Sequence, residues 1–177
     1  MKDFLKIKLL VCDCDGVLTD GSIIYESNDV EIKAFSAHDG IGFQILRHSD
    51  IIPVVITGRS SRALELRCKD YFIHHLYQGV RNKKMVLEKL ISELNLSYDN
   101  VAYIGDDWND FLAMEQCQLK IAPKNANATF KMTVDYVTEK NGGNGAVRDA
   151  IEYLLKKRNE FEKVLNSFLE ELGKSDV

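Results

Sequence analysis

Three short apolar runs constrain the fold more than any other feature of the sequence. Each ends at polar residues or glycine, and they read KLLVCD at 8–13, IIPVVIT at 51–57 and VAYIG at 101–105. Runs this short and continuously apolar are typical of parallel strands that are buried on both faces of a sheet. Helical periodicity between them indicates strand–helix–strand units with right-handed crossovers. The sequence therefore predicts an α/β protein, with helices on both faces of a mostly parallel sheet.

The remaining segments add short strands and helices. A turn signal at Asn28 and Asp29, flanked by short apolar stretches, predicts a β-hairpin directly after the first strand. Helices are predicted over residues 40–48, 62–70, 82–94 and 107–117, and short strands over 74–77, 119–122 and 134–137. From residue 145 onward an apolar stripe predicts one long helix, whose first half packs on the domain. Its second half would expose that stripe if it stood alone, so association with another subunit is an open alternative.

Composition and charge exclude several classes of protein. A chain of 177 residues that is 45% hydrophobic suits a single domain with a sizeable core. The net charge of −4 argues against a nucleic-acid partner, which would favour a basic face. The apolar runs are too short for a signal peptide or a membrane span, so we expect a cytoplasmic protein with no membrane partner. The four cysteines form no C-x-x-C pair, and we interpret Cys12 and Cys14 as buried core residues.

Polar residues follow each of the three predicted core strands. They are Asp13 and Asp15 after the first strand, Thr57 and Gly58 at the end of the second, and Asp106 and Asp107 after the third. Parallel α/β sheets bind their ligands beyond the carboxyl ends of the strands. We therefore expect these residues to converge on one crevice.

The D-C-D-G motif at 13–16 places two carboxylates at the end of a strand. Residues two apart in an extended chain point the same way, so Asp13 and Asp15 can face one crevice. Hydrolysis of a phosphate ester requires a nucleophile and a second group that protonates the leaving oxygen and later activates water. We interpret Asp13 as that nucleophile and Asp15 as that general acid and base. The alternative is an ordinary turn after a strand.

The G-D-D-W-N-D motif at 105–110 carries three aspartates in five positions at the start of a predicted helix. Acids there cap the helix and oppose its dipole, but three exceed that need. Clustered carboxylates repel one another, so a cation is their natural partner, and hard oxygen ligands suit Mg²⁺. We expect Asp106 to contact the metal and Asp107 to hold a metal-bound water or support the site. Asp110 would support the site from further away or be exposed.

Two further segments offer groups that bind phosphate. I-T-G-R at 56–59 supplies the Thr57 hydroxyl and a loop of backbone N–H groups that includes Gly58. Lys83 and Lys84 begin a predicted helix, where the helix dipole disfavours cations, which supports an anionic ligand nearby. A capped strand-to-helix turn and solvated surface lysines are the alternatives.

With DCDGVLTDG, VVITGR, NKK and GDDWND in this order, the sequence resembles the haloacid dehalogenase superfamily of phosphatases. The resemblance implies a Rossmann-like fold, a three-layer α/β/α sandwich, with Mg²⁺ as the cofactor and an aspartyl-phosphate intermediate on Asp13. It implies that Asp13, the backbone carbonyl of Asp15 and Asp106 bind the metal. Thr57 and Lys83 would complete the catalytic set.

Residues 7–155 are similar, within that superfamily, to the 3-deoxy-D-manno-octulosonate 8-phosphate (KDO 8-phosphate) phosphatases, through segments such as KAFSAHDGIGF, HLYQGVRNK and GGNGAVRD. The similarity implies hydrolysis of KDO 8-phosphate in lipopolysaccharide biosynthesis. It also implies no separate cap domain, and a homotetramer in which the hairpin at 19–36 joins subunits and roofs the site. Residues 1–155 would form the phosphatase core, and 156–177 a C-terminal helical extension that could reach another subunit.

The same resemblance implies a set of substrate contacts. They are Asp15, Ser36, Ala37, His38, Asp39, Gly40, Gln44, Gly58, Arg59, Arg67 and Lys83. The substrate carries a phosphate at one end and a carboxylate at the other, and arginine pairs well with carboxylates. Helix-surface charge is the alternative for Arg59 and Arg67, and we favour a polar loop residue over a ligand contact for His38.

One departure from the family pattern affects the choice of substrate. Gln44 stands where an arginine is expected. Glutamine can hydrogen-bond a sugar but cannot form an ion pair with its carboxylate. A phosphate ester of a nine-carbon keto acid, sialic-acid-like or KDN 9-phosphate, is therefore an alternative substrate. A receiver-type signalling module is a remote alternative of another class, since receivers also combine aspartates, a threonine and a lysine around Mg²⁺.

Overall fold

The computed structural model describes residues 2–27 and 30–174, which hold strands and α-helices in the predicted alternation. The strands are β1 (Leu9–Cys12), β2 (Ile24–Tyr25), β3 (Glu31–Ile32), β4 (Ile52–Ile56), β5 (His75–Tyr77), β6 (Val101–Ile104), β7 (Leu119–Ala122) and β8 (Tyr136–Val137). The α-helices are α1 (Ala37–Leu46), α2 (Arg62–Asp70), α3 (Lys83–Glu93), α4 (Trp108–Met114), α5 (Ala146–Lys157) and α6 (Phe161–Lys174).

The main sheet has six parallel strands in the order β5-β4-β1-β6-β7-β8. Strand β1 lies inside it, with Leu9 paired to Ile52 of β4 on one side and to Val101 of β6 on the other. The three apolar runs of the sequence are thus adjacent strands. Their carboxyl ends meet at one edge of the sheet, which confirms the predicted topology.

Both faces of the sheet are covered, so the predicted three-layer α/β/α sandwich is confirmed. Leu10 and Cys12 face the helices α1, α2, α5 and α6, whereas Leu9 and Val11 face α3 and α4. Successive strand residues point to opposite faces, and all four are fully buried. This double burial explains why the run is continuously apolar, and burial of each leucine or valine side chain contributes about 1.5–3 kcal/mol.

The insertion after β1 is a small antiparallel ribbon in which Ile24 pairs with Ile32. It is the predicted hairpin, although its turn at Asn28 and Asp29 lies outside the described residues. Within the described ranges the only other sheet is this two-stranded one, and no cap domain is inserted. All four cysteines are free and buried, which confirms the interpretation of Cys12 and Cys14 as core residues.

The prediction of one long helix from residue 145 is wrong. The chain forms α5 and α6 with a reversal between them, where Asn159 has a φ of +58° in the left-handed region that ends helices. The buried guanidinium of Arg158 fixes this reversal, because it hydrogen-bonds the Ile7 carbonyl and the carboxylates of Asp50 and Glu160.

Because of the reversal, α6 folds back onto the same chain. Val164 and Phe168 join the core beneath α1 and α5, whereas Leu169 and Leu172 are exposed. The division of the chain at residue 155 and a role of 156–177 between subunits stay predictions. None of the helices in the described part of the chain has the length and apolar character that crossing a membrane would require.

Candidate active site

Asp13 directly follows β1 at the carboxyl edge of the sheet, and it is held from several sides. Its backbone N–H donates to the Ile104 carbonyl at 3.0 Å, which continues the pairing of β1 with β6. Its carboxylate accepts the Cys14 N–H at 2.7 Å through Oδ1, and Oδ2 lies 2.8 Å from the Lys83 ammonium. With the residue only 3% exposed, these contacts fix the position of the carboxylate.

Lys83, the first residue of α3, is buried between two carboxylates. Its Nζ lies 2.8 Å from Asp13 Oδ2 and 2.7 Å from Asp110 Oδ1. Burial lowers the pKa of this ammonium, but the charges of Asp110 and Asp13 outweigh burial and hold its pKa above the ordinary value. Lys83 is therefore a charged part of the site and no surface lysine. Lys84 matches the surface alternative, 3.7 Å from Glu115.

Asp110 is fully buried, so the alternative that it is exposed is wrong. Its Oδ1 accepts hydrogen bonds from Lys83 and from the Tyr103 hydroxyl, and its Oδ2 accepts the Asp106 N–H at 3.2 Å. The first turn of α4 points this side chain back into the core. Asp107 is exposed instead, and its carboxylate accepts the Trp108 N–H as the N-cap of that helix.

Asp13, Asp106 and Asp110 form an acidic cluster, in which one carboxylate oxygen of each lies within 4.8 Å of the others. Burial, and then the charge of Asp110, raises the pKa of Asp13 to about 7 although Lys83 opposes the shift. Burial and the charge of Asp13 raise the pKa of Asp106 to about 7 as well. Three carboxylates against one ammonium leave excess negative charge. A divalent cation that prefers oxygen ligands fits this donor set.

Gly16 lies directly against the acidic cluster. Its φ is +85°, and a Cβ there would lie 2.0 Å from Asp106 Oδ2, so a side chain at this position would displace the carboxylate. On its other side, a Cβ on Gly142 would lie 1.9 Å from the Gly16 carbonyl oxygen, and the Gly143 N–H donates to the Val17 carbonyl at 3.1 Å. Gly142 and Gly143 therefore pack directly against the loop after β1 and support it.

A cavity of about 290 Å³ opens at this edge of the sheet. It is lined by Asp13, Asp15, Gly21, Thr57, Gly58, Arg59, Asp106, Asp107 and Asn109. All except Gly21 and Asn109 are predicted site residues. The structure therefore brings together predicted groups that follow the three strands β1, β4 and β6. Thr57 is buried in its wall, and its N–H donates to the Tyr77 carbonyl at 2.9 Å.

The hairpin reaches this cavity through ionic contacts that the sequence did not predict. Arg59 Nη2 donates to the Tyr25 hydroxyl and to the Glu31 carboxylate, both at 2.6 Å. Lys33 forms an ion pair with Asp15 and lies 2.8 Å from Glu31 Oε1. The pattern of residues 30–35 indicates a strand, but it does not show which of its charges turn toward the site.

The other predicted substrate contacts lie outside the residues that line this cavity. The Ser36 carbonyl accepts the Tyr71 hydroxyl at 2.9 Å and Arg67 Nη2 at 3.4 Å. Asp39 is buried, and its Oδ1 accepts the Arg148 N–H at 2.8 Å in the first turn of α5. Ala37 and His38 are exposed, Gly40 is buried near Tyr71, and Gln44 is half-buried in α1. His38 lines a separate cavity of about 530 Å³ beside α5. Their roles in substrate binding stay predictions.

Comparison with known proteins identifies the class first. Residues 66–151 match the family model of the haloacid dehalogenase-like hydrolases. Over 149 residues the chain is 43% identical to the 3-deoxy-D-manno-octulosonate 8-phosphate phosphatase KdsC of Escherichia coli K12, an alignment that covers 84% of this chain and 79% of that protein. The chain therefore belongs to the haloacid dehalogenase superfamily, and it is a phosphoric monoester hydrolase.

Solved structures narrow the class. KDO 8-phosphate phosphatase from Moraxella catarrhalis, in complex with magnesium, phosphate and KDO, aligns with a TM-score of 0.88 and 41% identity over 93% of this chain and 97% of that chain. The cobalt-bound enzyme of Haemophilus influenzae aligns with a TM-score of 0.84 and 34% identity over 90% of this chain and 94% of that chain. The protein belongs to the KDO 8-phosphate phosphatase family, which confirms the resemblance and leaves the receiver alternative without support.

Proposed function

We propose that this protein hydrolyses KDO 8-phosphate to KDO and phosphate with Mg²⁺ as its cofactor, as a step of lipopolysaccharide biosynthesis. The observation that carries the proposal is the position of Asp13, at the end of β1, lining a cavity beside the acidic cluster, in a chain of this family. The relative from M. catarrhalis, which holds magnesium, phosphate and KDO, supports the choice of ligands.

Asp13, Asp106 and the backbone carbonyl of Asp15 would hold the metal, with Asp110 and Asp107 supporting them. The cation offsets the repulsion between a phosphate dianion and the attacking carboxylate. Burial, and then mutual repulsion, raise the pKa values of Asp13 and Asp106, and a cluster of carboxylates whose charges are unfavourable in this way fits a divalent ion.

The chemistry proceeds in two displacements at phosphorus. An oxygen of Asp13 attacks, the bond from phosphorus to the sugar oxygen breaks, and Asp15 donates a proton to the departing oxygen. Asp15 then takes a proton from a water that attacks the aspartyl-phosphate, which releases phosphate and restores Asp13. Lys83 keeps Asp13 in place at 2.8 Å, while the Thr57 hydroxyl and the Gly58 N–H donate to phosphate oxygens.

The substrate carboxylate is assigned to the side of the cavity that Arg59 lines. The Arg59 donors that Tyr25 and Glu31 leave free would pair with it. Arg67 with the segment 36–40 would contact the sugar. A phosphate ester of a nine-carbon keto acid is the second candidate, which Gln44 favours because it provides no cation at the position where the family pattern has one.

We also propose that the protein works in the cytoplasm as a homotetramer, with its hairpin and the extension at 156–177 placed between subunits. The hairpin presents apolar side chains to solvent: Ile23, Ile24, Tyr25 and Ile32 are 42%, 47%, 61% and 47% exposed. Exposed apolar groups gathered on one element indicate an interface between proteins. A neighbouring subunit seated there would narrow the opening of the cavity.

The test is phosphate release from a panel of esters by purified protein with Mg²⁺. The proposal predicts a kcat/KM for KDO 8-phosphate at least about tenfold above that for KDN 9-phosphate or generic sugar phosphates, and no turnover after chelation. A preference for KDN 9-phosphate would establish the second candidate. Equal rates on all esters would remove both substrate assignments while the phosphatase class stands.

A further inference from the structure

Lys33 is a buried cation on an otherwise exposed hairpin, and the proposed reaction gives it no role. It directly follows β3, and its side chain is 2% exposed, whereas Ile32 beside it is 47% exposed. Its ammonium pairs with Asp15 and with Glu31, whose Oε1 lies 2.8 Å away. A buried lysine depends on such partners to offset its lost hydration. Its place is therefore set by these two acids.

The contacts of Lys33 continue into a row of alternating charges. Glu31 accepts a hydrogen bond from Arg59 Nη2 at 2.6 Å. Asp15 lies beyond β1 and Arg59 beyond β4, and these strands are neighbours in the sheet, so the two ends of the row lie on two walls of the same cavity. Its middle members, Lys33 and Glu31, belong to the hairpin. The row thus connects the hairpin to the loop after β1, which carries Asp15, and to the loop after β4, which carries Arg59.

We propose that Lys33 is a positioning residue that fixes the Asp15 carboxylate for proton transfer to the leaving oxygen and from the attacking water. The inference rests on the proposed function, because it takes Asp15 as the general acid and base. Asp15 lies in a loop with its side chain 20% exposed, so without a partner it would populate several rotamers. Misplacement of a reacting group by about 1 Å can cost about 10²-fold in rate. Lys33 acts through Asp15 and contacts no reacting atom itself.

A purely anchoring role for Lys33 makes a different prediction. p-Nitrophenolate leaves phosphorus without being protonated, whereas the alkoxide of a sugar phosphate needs a proton from Asp15. Loss of positioning therefore slows alkyl esters more than aryl esters. Loss of an anchor, which changes the shape or cover of the cavity, slows both alike.

The experiment measures kcat/KM of the wild type and of Lys33→Met on p-nitrophenyl phosphate and on the best sugar phosphate of the panel. We expect a loss of about 10²-fold on the alkyl ester and of less than about tenfold on the aryl ester. In an Asp15→Asn background, Lys33→Met should add less than about a twofold loss, because the two residues act as one unit. Equal losses on both esters, or a fully additive loss in that background, would overturn the proposal.

Lys8→Met is the matched control, since Lys8 also pairs with an aspartate from a distant segment, Asp50, and lies at the opposite edge of the sheet. It should leave both rates within about twofold. Lys33→Arg keeps the cation and should recover most of the alkyl-ester rate. If circular dichroism shows that Lys33→Met does not fold, Lys33→Gln replaces it. The loss of kcat/KM on the alkyl ester relative to the loss on the aryl ester then tests the proposal in the same way. If the wild type does not hydrolyse KDO 8-phosphate, the proposed substrate is wrong. The losses of Lys33→Met on the alkyl and aryl esters can still be compared, because the test uses the best sugar phosphate of the panel.

Discussion

The two sides of the active site are held by different physical means. On one side, the side chains of Asp13, Lys83 and Asp110 are 4%, 3% and 0% exposed, and each contacts at least one of the others. On the other side, the hairpin keeps Ile24 and Tyr25 about half exposed and meets the cavity through a few charged groups.

The buried side of the site should therefore matter for the stability of the fold, whereas the hairpin side should matter mainly for how the cavity is covered. Buried carboxylates depend on the cation that pairs with them, so the loss of that cation costs several kcal/mol and disturbs chemistry and fold together. A short two-stranded ribbon is marginally stable by itself, and the apolar side chains of this one are already largely exposed, so changes to those side chains should affect function or assembly before the fold. Substitutions on the two sides can test the contrast.

The largest effect should come from Asp13→Asn. An amide cannot attack phosphorus, so turnover should fall by at least about 10⁴-fold. Because burial raises the pKa of Asp13 and makes its charge costly, the fold should persist, with an unchanged circular dichroism spectrum. Asp99→Asn, at an exposed position, is the control with full activity. Appreciable phosphate release by Asp13→Asn would argue against covalent catalysis.

Asp15→Asn should slow both displacements by about 10²–10⁴-fold, the usual scale of general acid–base help. Rapid-quench measurements would separate formation of the phosphoenzyme from its hydrolysis. Asp20→Asn, on the same loop but exposed, should retain activity. A loss confined to one of the two displacements would contradict the dual role of Asp15.

Lys83→Met should destabilise the protein by about 3–5 kcal/mol, because it leaves two buried carboxylates without their cation. For a chain of this size that corresponds to a decrease of roughly 10 °C in Tm, measurable by calorimetry. Lys84→Met changes the neighbouring surface lysine and should stay within about 0.5 kcal/mol. Similar losses of stability in both variants would show that the contribution of Lys83 to stability does not depend on its burial.

The sequence predicts well those site residues that lie at the ends of strands. Asp13, Thr57 and Asp106 each lie at the end of a continuously apolar run, and parallel pairing of those runs must place their carboxyl ends together. One local pattern and one general rule about sheets are enough for this part of the fold and the site.

Features that depend on tertiary contacts could not be predicted. Asp110 is drawn inward by the Tyr103 hydroxyl and by Lys83, two partners that no local pattern links to it. The reversal after α5 depends on the bonds of Arg158 to Ile7 and Asp50, which are distant in the sequence. Apolar periodicity continues through that reversal, so the sequence pattern by itself predicts a single helix there.

The acidic cluster should make Mg²⁺ binding depend on pH. The pKa values of Asp13 and Asp106 rise from 3.8 to about 7 in the folded, ion-free protein, so ionisation is unfavourable and stability without the ion falls as pH rises through that range. Mg²⁺ binds the ionised carboxylates and must displace those protons. Its affinity, measured by thermal-shift titration, should therefore be about tenfold or more lower at pH 6 than at pH 8. Equal affinities at both values would contradict the charge balance described for the cluster.

The smallest effect on the fold should come from the hairpin. Ile24 and Ile32 face each other across the ribbon, and replacing both by threonine removes exposed apolar surface while keeping β-branched side chains. The free energy of unfolding of the isolated subunit should change by no more than about 0.5 kcal/mol, whereas Leu10→Ala in β1 should cost about 2–5 kcal/mol. Light scattering should show the proposed tetramer dissociating in the threonine variant alone. A tetramer that survives both threonines would place the interface elsewhere, because an interface centred on this ribbon must bury the two isoleucines that the single subunit leaves exposed.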